Sequence, residues 1–298
     1  LKLQKVLVLH KKSTFQLQAV EHRETRFVKL LEEGNEVVTR VKVAHSEHVE
    51  TLEQVEKELT RRGIEFRSIP RSELSDEVDD VDLLISVGGD GTFLDASHYL
   101  HDVPILGVNS SRSSSFGHFC EANERNFPKI LDEIESGKLQ AKSLLRLELS
   151  LNGELLPFLV LNEILIAHDN PAATSRYFLE LRGHSEEQRS SGIWVGTAAG
   201  STGSIRSAGG TVLPITDKRY EFIVREACMR PNEKWSLIKG LINPDEEIKI
   251  TSQMRTGALY LDGVHINYQF YLGDELVIRP SRLFLQAFLS GDVNDIFI

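Results

Sequence analysis

The chain has 298 residues, 41% hydrophobic and 26% charged, with a formal net charge of −10. That length allows one or two domains with sizeable cores, no apolar run approaches the roughly 18–20 residues of a membrane span, and an acidic balance without a dense Lys/Arg stripe excludes broad nucleic-acid binding. Anionic small ligands stay open, because a few arginines and a metal ion bind phosphate whatever the net charge. Cys120 and Cys228, the two cysteines, lie far apart without metal-ligand spacing and are read as small core residues of a protein in a reduced, cytoplasmic compartment. The N-terminus enters a strand-like run with no signal-peptide pattern.

Taken in order, Lys5–His10 (KVLVLH) predicts a strand, Gln16–Glu33 one helix, Val49–Arg62 a second helix, and Ile64–Ser68 a short strand after Gly63. Val81–Val87 and Pro104–Val108 follow as strands, with a helix over Thr92–Leu100 between them. Such alternation indicates a parallel sheet with helices on both faces, in which ligands bind at the carboxyl ends of strands. The serine run Ser110–Ser115 reads as a mobile loop. After about residue 142 the texture changes to strands joined by short turns: Leu145–Leu151, Leu155–Ala167, Arg176–Leu181, Ile193–Val195, Glu247–Thr251, Ala258–Leu261, His265–Tyr271 and Glu275–Arg279. Asp262-Gly263 between two of them is a hairpin signal. The expected organisation is an α/β domain over 1–142 and a β-rich domain over 143–298, whose tail after about residue 282 packs back on the first.

Three stretches carry chemistry. In Gly88-Gly89-Asp90-Gly91-Thr92, between a buried strand and a helix, glycines admit positive φ and uncover backbone N–H groups, and a helix N-terminus binds anions. Gly88, Gly89, Gly91 and Thr92 are therefore candidate phosphate contacts. A carboxylate there suits Mg²⁺ or a hydroxyl proton in phosphoryl transfer, so Asp90 is the candidate catalytic and metal residue. The stretch is neither a P-loop, lacking Gly-Lys-Ser/Thr, nor a dinucleotide fingerprint, having Leu94 at the third glycine position. Gly196–Gly210 (GTAAGSTGSIRSAGG) is almost wholly small residues, which let a ligand approach the backbone at Gly200 and offer the hydroxyls of Thr197, Ser201, Thr202 and Ser204. Asn162-Glu163 interrupts the apolar run FLVLNEILIA, where an amide and a carboxylate are costly unless paired; they are satisfied by protein groups or bind a sugar diol or base edge. Arg189, taken alone, reads as a surface charge, and Asp262-Gly263 as a turn.

In this order, G-G-D-G-T, Asn162-Glu163, G-T-x-x-G-S-T ending in S-A-G-G, and a late Asp-Gly resemble the NAD kinase family over roughly residues 80 to 265. G-G-D-G-T alone is shared with diacylglycerol and sphingosine kinases and phosphofructokinases. Lipid kinases of that group carry Asn-Glu directly after it, where Phe93-Leu94 stand here. The resemblance implies a Rossmann-like N-terminal domain, a β-sandwich-like C-terminal domain, and homodimers or homotetramers. It implies transfer of the γ-phosphoryl of ATP, with Mg²⁺, to the adenosine-ribose 2′-hydroxyl of NAD. Asp90 corresponds to the family's catalytic aspartate, Asn162 and Glu163 to its dinucleotide contacts, Thr202 to a further substrate contact, and Arg189 to an arginine near the phosphates. Four departures stand out. Ser191 replaces an aspartate, Ala198-Ala199 replaces Pro-Thr, and Gly203-Ser204 replaces Ala-Tyr, removing a stacking ring. A longer serine run leads to Phe116-Gly117-His118-Phe119, where His118 takes the place of a phenylalanine as a stacking or hydrogen-bonding contact. A lipid or other small-alcohol kinase and a catalytically silent dinucleotide sensor are the alternatives.

Overall fold

The computed structural model describes residues 2–111, 116–291 and 294. Residues 112–115 of the serine run, expected as a mobile loop, lie outside them, as does the tail 292–298 apart from Asn294. The chain divides into two compact units, one reaching Lys142 and resuming at Gln286, the other spanning Ser143–Leu285 with Asn294. No helix among the described residues is long and apolar enough to cross a membrane.

The first unit is built on a mainly parallel sheet of β1 (Lys5–His10), β2 (Glu65–Pro70), β3 (Leu83–Gly88) and β4 (Ile105–Asn109), in the order β2-β1-β3-β4 and continued by Leu285–Phe288 and Ala141–Leu144. Every residue of β3 and β4 is buried, as expected for apolar strands of a parallel sheet covered on both faces. Ala287 pairs in parallel with Ile105, so the segment after Phe284 extends this sheet. Helix α1 is Thr25–Glu32 and helix α2 is Glu36–Arg62. The single helix expected over Gln16–Glu33 is broken: a π-helical turn covers Gln16–Glu21, Arg23 takes φ 50°, and Glu24 recaps the chain by accepting from the Phe27 N–H. Helix α2 begins well before Val49, because Asn35 accepts a hydrogen bond from the Val37 N–H and nucleates it. It stops at Gly63, whose φ of 69° is the left-handed conformation that glycine adopts without strain. Val55 and Leu59 of α2 pack with Val6, Val8, Ile85 and Val87 in the core of this unit.

The second unit consists of two six-stranded antiparallel sheets. Ser175–Leu181 alternates buried and exposed residues at every step, the period-2 signature of a strand with one wet face. Its inward Tyr177 and Leu179 share a core with Ile164, Ile166 and Val195 of the other sheet. The strand expected over Leu155–Ala167 is two pieces, Glu154–Leu155 and Glu163–His168, with Pro157 and a bend between them. Asn162 is therefore in the bend, and only Glu163 is in a strand. The edge strand His184–Ser190 was not expected, since its sequence, HSEEQRS, has no apolar residue to declare it. The expectation for the cysteines is corrected in part: Cys228 is exposed and Cys120 half-buried, with burial pushing the Cys120 thiol pKa up.

Candidate functional site

In the first unit, β3 ends at Gly88 and helix α3 (Asp90–Ser97) begins at once, so Asp90 is the first helical residue rather than part of a loop. None of the three glycines around it has a positive φ; Gly89 is extended at φ −124°. Their need is for space. A Cβ on Gly88 would lie 2.1 Å from Thr92 Oγ1, whereas one on Gly91 would meet nothing within 4 Å. Thr92 is only 3% exposed and packs against Gly88. The Thr92 and Phe93 N–H groups donate to the Gly89 carbonyl at 3.0 and 3.2 Å, leaving the N–H groups of the first helical residues as those that a helix start cannot satisfy internally.

The Asp90 side chain is positioned from outside its helix. Oδ1 accepts the Phe119 N–H at 2.8 Å, and Oδ2 has no hydrogen-bond partner among the described residues. Phe119 is itself held: its ring stacks on Phe93 at 5.1 Å, and a Cβ on Gly107 of β4 would meet its carbonyl oxygen at 2.3 Å. His118 sits edge-on to Phe119 at 5.1 Å and parallel to Phe116 at 6.3 Å, extending this row of rings. Retention of Gly107 and Phe93 thus bears directly on the aim of Asp90.

The second unit supplies an orphaned pair. Asn162 Oδ1 and Glu163 Oε2 are buried and have no hydrogen-bond partner among the described residues, a state that costs on the order of 1–3 kcal/mol per group unless a ligand relieves it. Their backbone is clamped. Asp262, in a turn at φ 50°, accepts the N–H groups of Leu161, Asn162 and Glu163 at 2.8, 2.7 and 3.1 Å. On the other side the Asn162 carbonyl accepts the Thr197 N–H at 2.9 Å, and Thr197 Oγ1 donates to the Leu161 carbonyl. Glu163 Oε1 accepts Ser204 Oγ at 3.1 Å. Burial, then the Asp262 charge, push the Glu163 carboxyl up to about 7. The fully buried Arg146, which donates from Nε to the Leu283 carbonyl at 2.8 Å, is held down to about 10 by burial, against the opposing pull of Asp262.

The small-residue run works differently from the sequence expectation at several positions. A Cβ on Gly200 would stand 2.4 Å from the Asn162 carbonyl oxygen and 2.8 Å from Glu163 Oε2, so the close approach there is made by the chain's own segment. Thr197 and Ser201 are each 1% exposed, and Ser201 Oγ donates to the Ala198 carbonyl and accepts the Leu213 N–H. Their hydroxyls fold the run, whereas Ser204 faces Glu163 and Thr202 is half-buried. Arg189 lies in the edge strand and binds both carboxylate oxygens of Glu233 at 3.1 and 2.8 Å. The residue that sequence reasoning undervalued is Asp262: its Asp-Gly signal was visible, but its three acceptor contacts, about a hundred residues back in the chain, were not. Among the described residues no group of three or more His, Cys, Asp or Glu forms a metal cluster.

Residues 6–139 match the family profile described as the ATP-NAD kinase N-terminal domain. A rice (Oryza sativa subsp. japonica) protein named "Probable NADH kinase" is 37% identical over 83% of this chain and 82% of its own length. An Arabidopsis thaliana NADH kinase is 36% identical over 84% and 86%, and a Clostridium tetani NAD kinase 32% identical over 74% and 80%. Among solved structures, an Archaeoglobus fulgidus NAD kinase in complex with ATP superposes with a TM-score of 0.73 at 21% identity, covering 98% of this chain and 96% of that one.

Proposed function

From its membership of the NAD kinase family, to which this chain belongs, we propose that the protein transfers the γ-phosphoryl group of ATP to the 2′-hydroxyl of the adenosine ribose of NAD, forming NADP and ADP. The new bond joins the 2′-oxygen to phosphorus, the bridge to the β-phosphate breaks, and the hydroxyl proton leaves. The observation that carries the acceptor assignment is the orphaned pair Asn162 Oδ1 and Glu163 Oε2. An amide and a carboxylate match the hydroxyls of a ribose and the edge of an adenine, and nothing about them suits a lipid acceptor.

Asp90 Oδ2 is the oxygen left to accept a hydrogen bond from the 2′-hydroxyl or to hold a metal ion. A loose phosphoryl-transfer transition state rewards positioning and charge stabilisation over proton removal, and the Phe119 N–H supplies that positioning. Mg²⁺, when bound, neutralises donor phosphate charge. One carboxylate fits its habit of binding through one or two carboxylates with phosphate oxygens and water. The family reading carries with it a homodimer or homotetramer acting in the cytoplasm, to be checked by sedimentation and fractionation.

The plant relatives are named for NADH, which makes the reduced dinucleotide the second acceptor to compare. Incubation with Mg-ATP and either NAD or NADH, followed by separate assays for NADP and NADPH, tests the function and ranks the acceptors. No product with either dinucleotide would refute it.

A further inference from the structure

We propose that Lys11, Arg40 and Arg71, with Lys12 beside them, form a binding site for a phosphate chain at the carboxyl ends of β1 and β2. These residues line a cavity of about 350 Å³ in the first unit, together with Ser13 and His45. No carboxylate lines it, in a chain whose net charge is −10.

The cavity is assembled from three segments. Lys11 and Lys12 follow β1 directly, Arg71 follows β2, and Arg40 projects from α2. Arg40, Ala44 and His48 recur at four-residue spacing, so they share one face of that helix. Ala44 leaves the space open. His48, one turn further on, places Nε2 at 2.8 Å from the Lys11 carbonyl and Nδ1 at 2.8 Å from Ser110 Oγ. A carbonyl can only accept, so Nε2 carries the proton and Nδ1 accepts from the serine. The backbone of Lys11 is thereby pinned. Its ammonium nevertheless has no ion-pair partner among the described residues, and neither has Arg40. Burial and the neighbouring Arg71 lower the Lys11 pKa against a smaller opposing pull from Cys120 and Glu47, so an anion in the cavity would favour the charged ammonium. Lys12 and Arg71 are ion-paired, with Glu21 and Asp95. Burial lowers the His45 pKa, which disfavours a charge on its ring.

The cavity adjoins the Asp90 turn within the same unit. The Lys11 N–H donates to the Val87 carbonyl at 3.3 Å, one residue before Gly88. Asp95, the partner of Arg71, lies on α3, about 7.5 Å along the helix axis from Asp90. A chain of phosphates reaching the glycine turn can therefore continue over β1 towards Arg71. A nucleoside triphosphate and a free inorganic polyphosphate share this chemistry. Only the naming of ATP as occupant rests on the kinase reading.

The test is calorimetric titration of inorganic tripolyphosphate into the full chain at low salt. Lys11→Met and Arg40→Gln should each weaken binding about tenfold, or 1.4 kcal/mol, with melting temperature unchanged, while Asp90→Asn, expected to lose most turnover, should bind as wild type. If tripolyphosphate competes with ATP and Lys11→Met raises KM for ATP alone, the occupant is the donor's phosphate chain. If it binds through Lys11 without competing, the occupant is a free polyphosphate. Absence of binding to wild type, or equal binding by wild type and both variants, overturns the proposal. Because this readout needs no catalysis, its failure is distinct from failure to make NADP.

Discussion

The two units place their functional groups by opposite means. In the parallel-sheet unit, one turn of five residues delivers Asp90: a buried strand ends at Gly88 and a helix starts two residues later. In the antiparallel unit, Asn162 and Glu163 are held by segments far apart in sequence, Asp262 on one side and Thr197 to Ser204 on the other. The first arrangement is local in its backbone, with the Phe119 N–H steadying the carboxylate from outside the turn, and the second depends on topology. It follows that the first should fail by loss of chemistry with the fold intact, and the second by loss of binding together with stability.

The largest effect tests the local half. Asp90→Asn keeps the acceptor Oδ1 for the Phe119 N–H yet removes the charge, so it should fold normally and lose on the order of 10² to 10⁴ in kcat, with both KM values little changed. Near-normal turnover in a folded variant would remove Asp90 from the chemistry.

This contrast also explains what could be read from sequence. The Gly-Gly-Asp-Gly-Thr turn was legible because strand, glycines and helix start are contiguous. The positive φ expected of its glycines was not realised, since the requirement at Gly88 is room for Thr92. Asp262 looked like an ordinary hairpin turn because its partners, Leu161 to Glu163, lie about a hundred residues back in the chain. Lys11, Arg40 and Arg71 carry no spacing signal either, as the pairing of β1 with β2 brings Lys11 and Arg71 together and Arg40 comes from α2. The front half of α2 was missed because β-branched residues such as Val37 and Val43, both exposed, disguise a helix whose real marker is the Asn35 cap.

Acid should separate the units next. Burial holds His48 of the first unit down to about 4, against an ordinary 6.5. The unfolded chain binds that proton first, so the stability due to neutral His48 is complete above about pH 6.5 and lost as pH falls towards 4, on the order of 3 kcal/mol in all. Glu163 of the second unit runs the other way. Its carboxyl is raised from 4.5 to about 7, so its protonated form favours folding below about pH 4.5, and that advantage is lost as pH rises to 7. Both tryptophans, Trp194 and Trp235, are in the second unit, whereas α1, α2 and α3 are in the first. His48→Gln should flatten the acid dependence of helical circular dichroism melting, and Glu163→Gln that of tryptophan fluorescence. Identical responses of both probes to each variant would show the two units unfolding as one.

Asp262→Ala should raise KM for NAD about a hundredfold, since three N–H groups lose their acceptor and the orphaned pair loses its aim, and should lower stability by about 2–3 kcal/mol. KM for ATP should stay nearly constant. An equal rise in both would make Asp262 merely structural. Glu163→Gln and Asn162→Ala should each raise KM for NAD about tenfold, as for one or two lost hydrogen bonds. Wild-type affinity for NAD should also improve as pH rises through about 7 and Glu163 ionises, because a carboxylate accepts a hydroxyl hydrogen bond more strongly than its acid does. Glu163→Gln should show no such rise.

Gly91→Ala gives the smallest change and separates fold from function most cleanly. The position is helical, its φ is not positive, and an added Cβ meets nothing within 4 Å. The structure alone thus makes alanine neutral or stabilising by about 0.5–1 kcal/mol, through reduced freedom of the unfolded chain. A phosphate resting on this helix start would meet that methyl group, so KM for ATP should rise severalfold while melting temperature holds or increases. An increase in melting temperature with unchanged KM for ATP would take the phosphates away from Gly91. The donor would then be held chiefly by the exits of β1 and β2, and the local half of the molecule would prove less local than its sequence suggests.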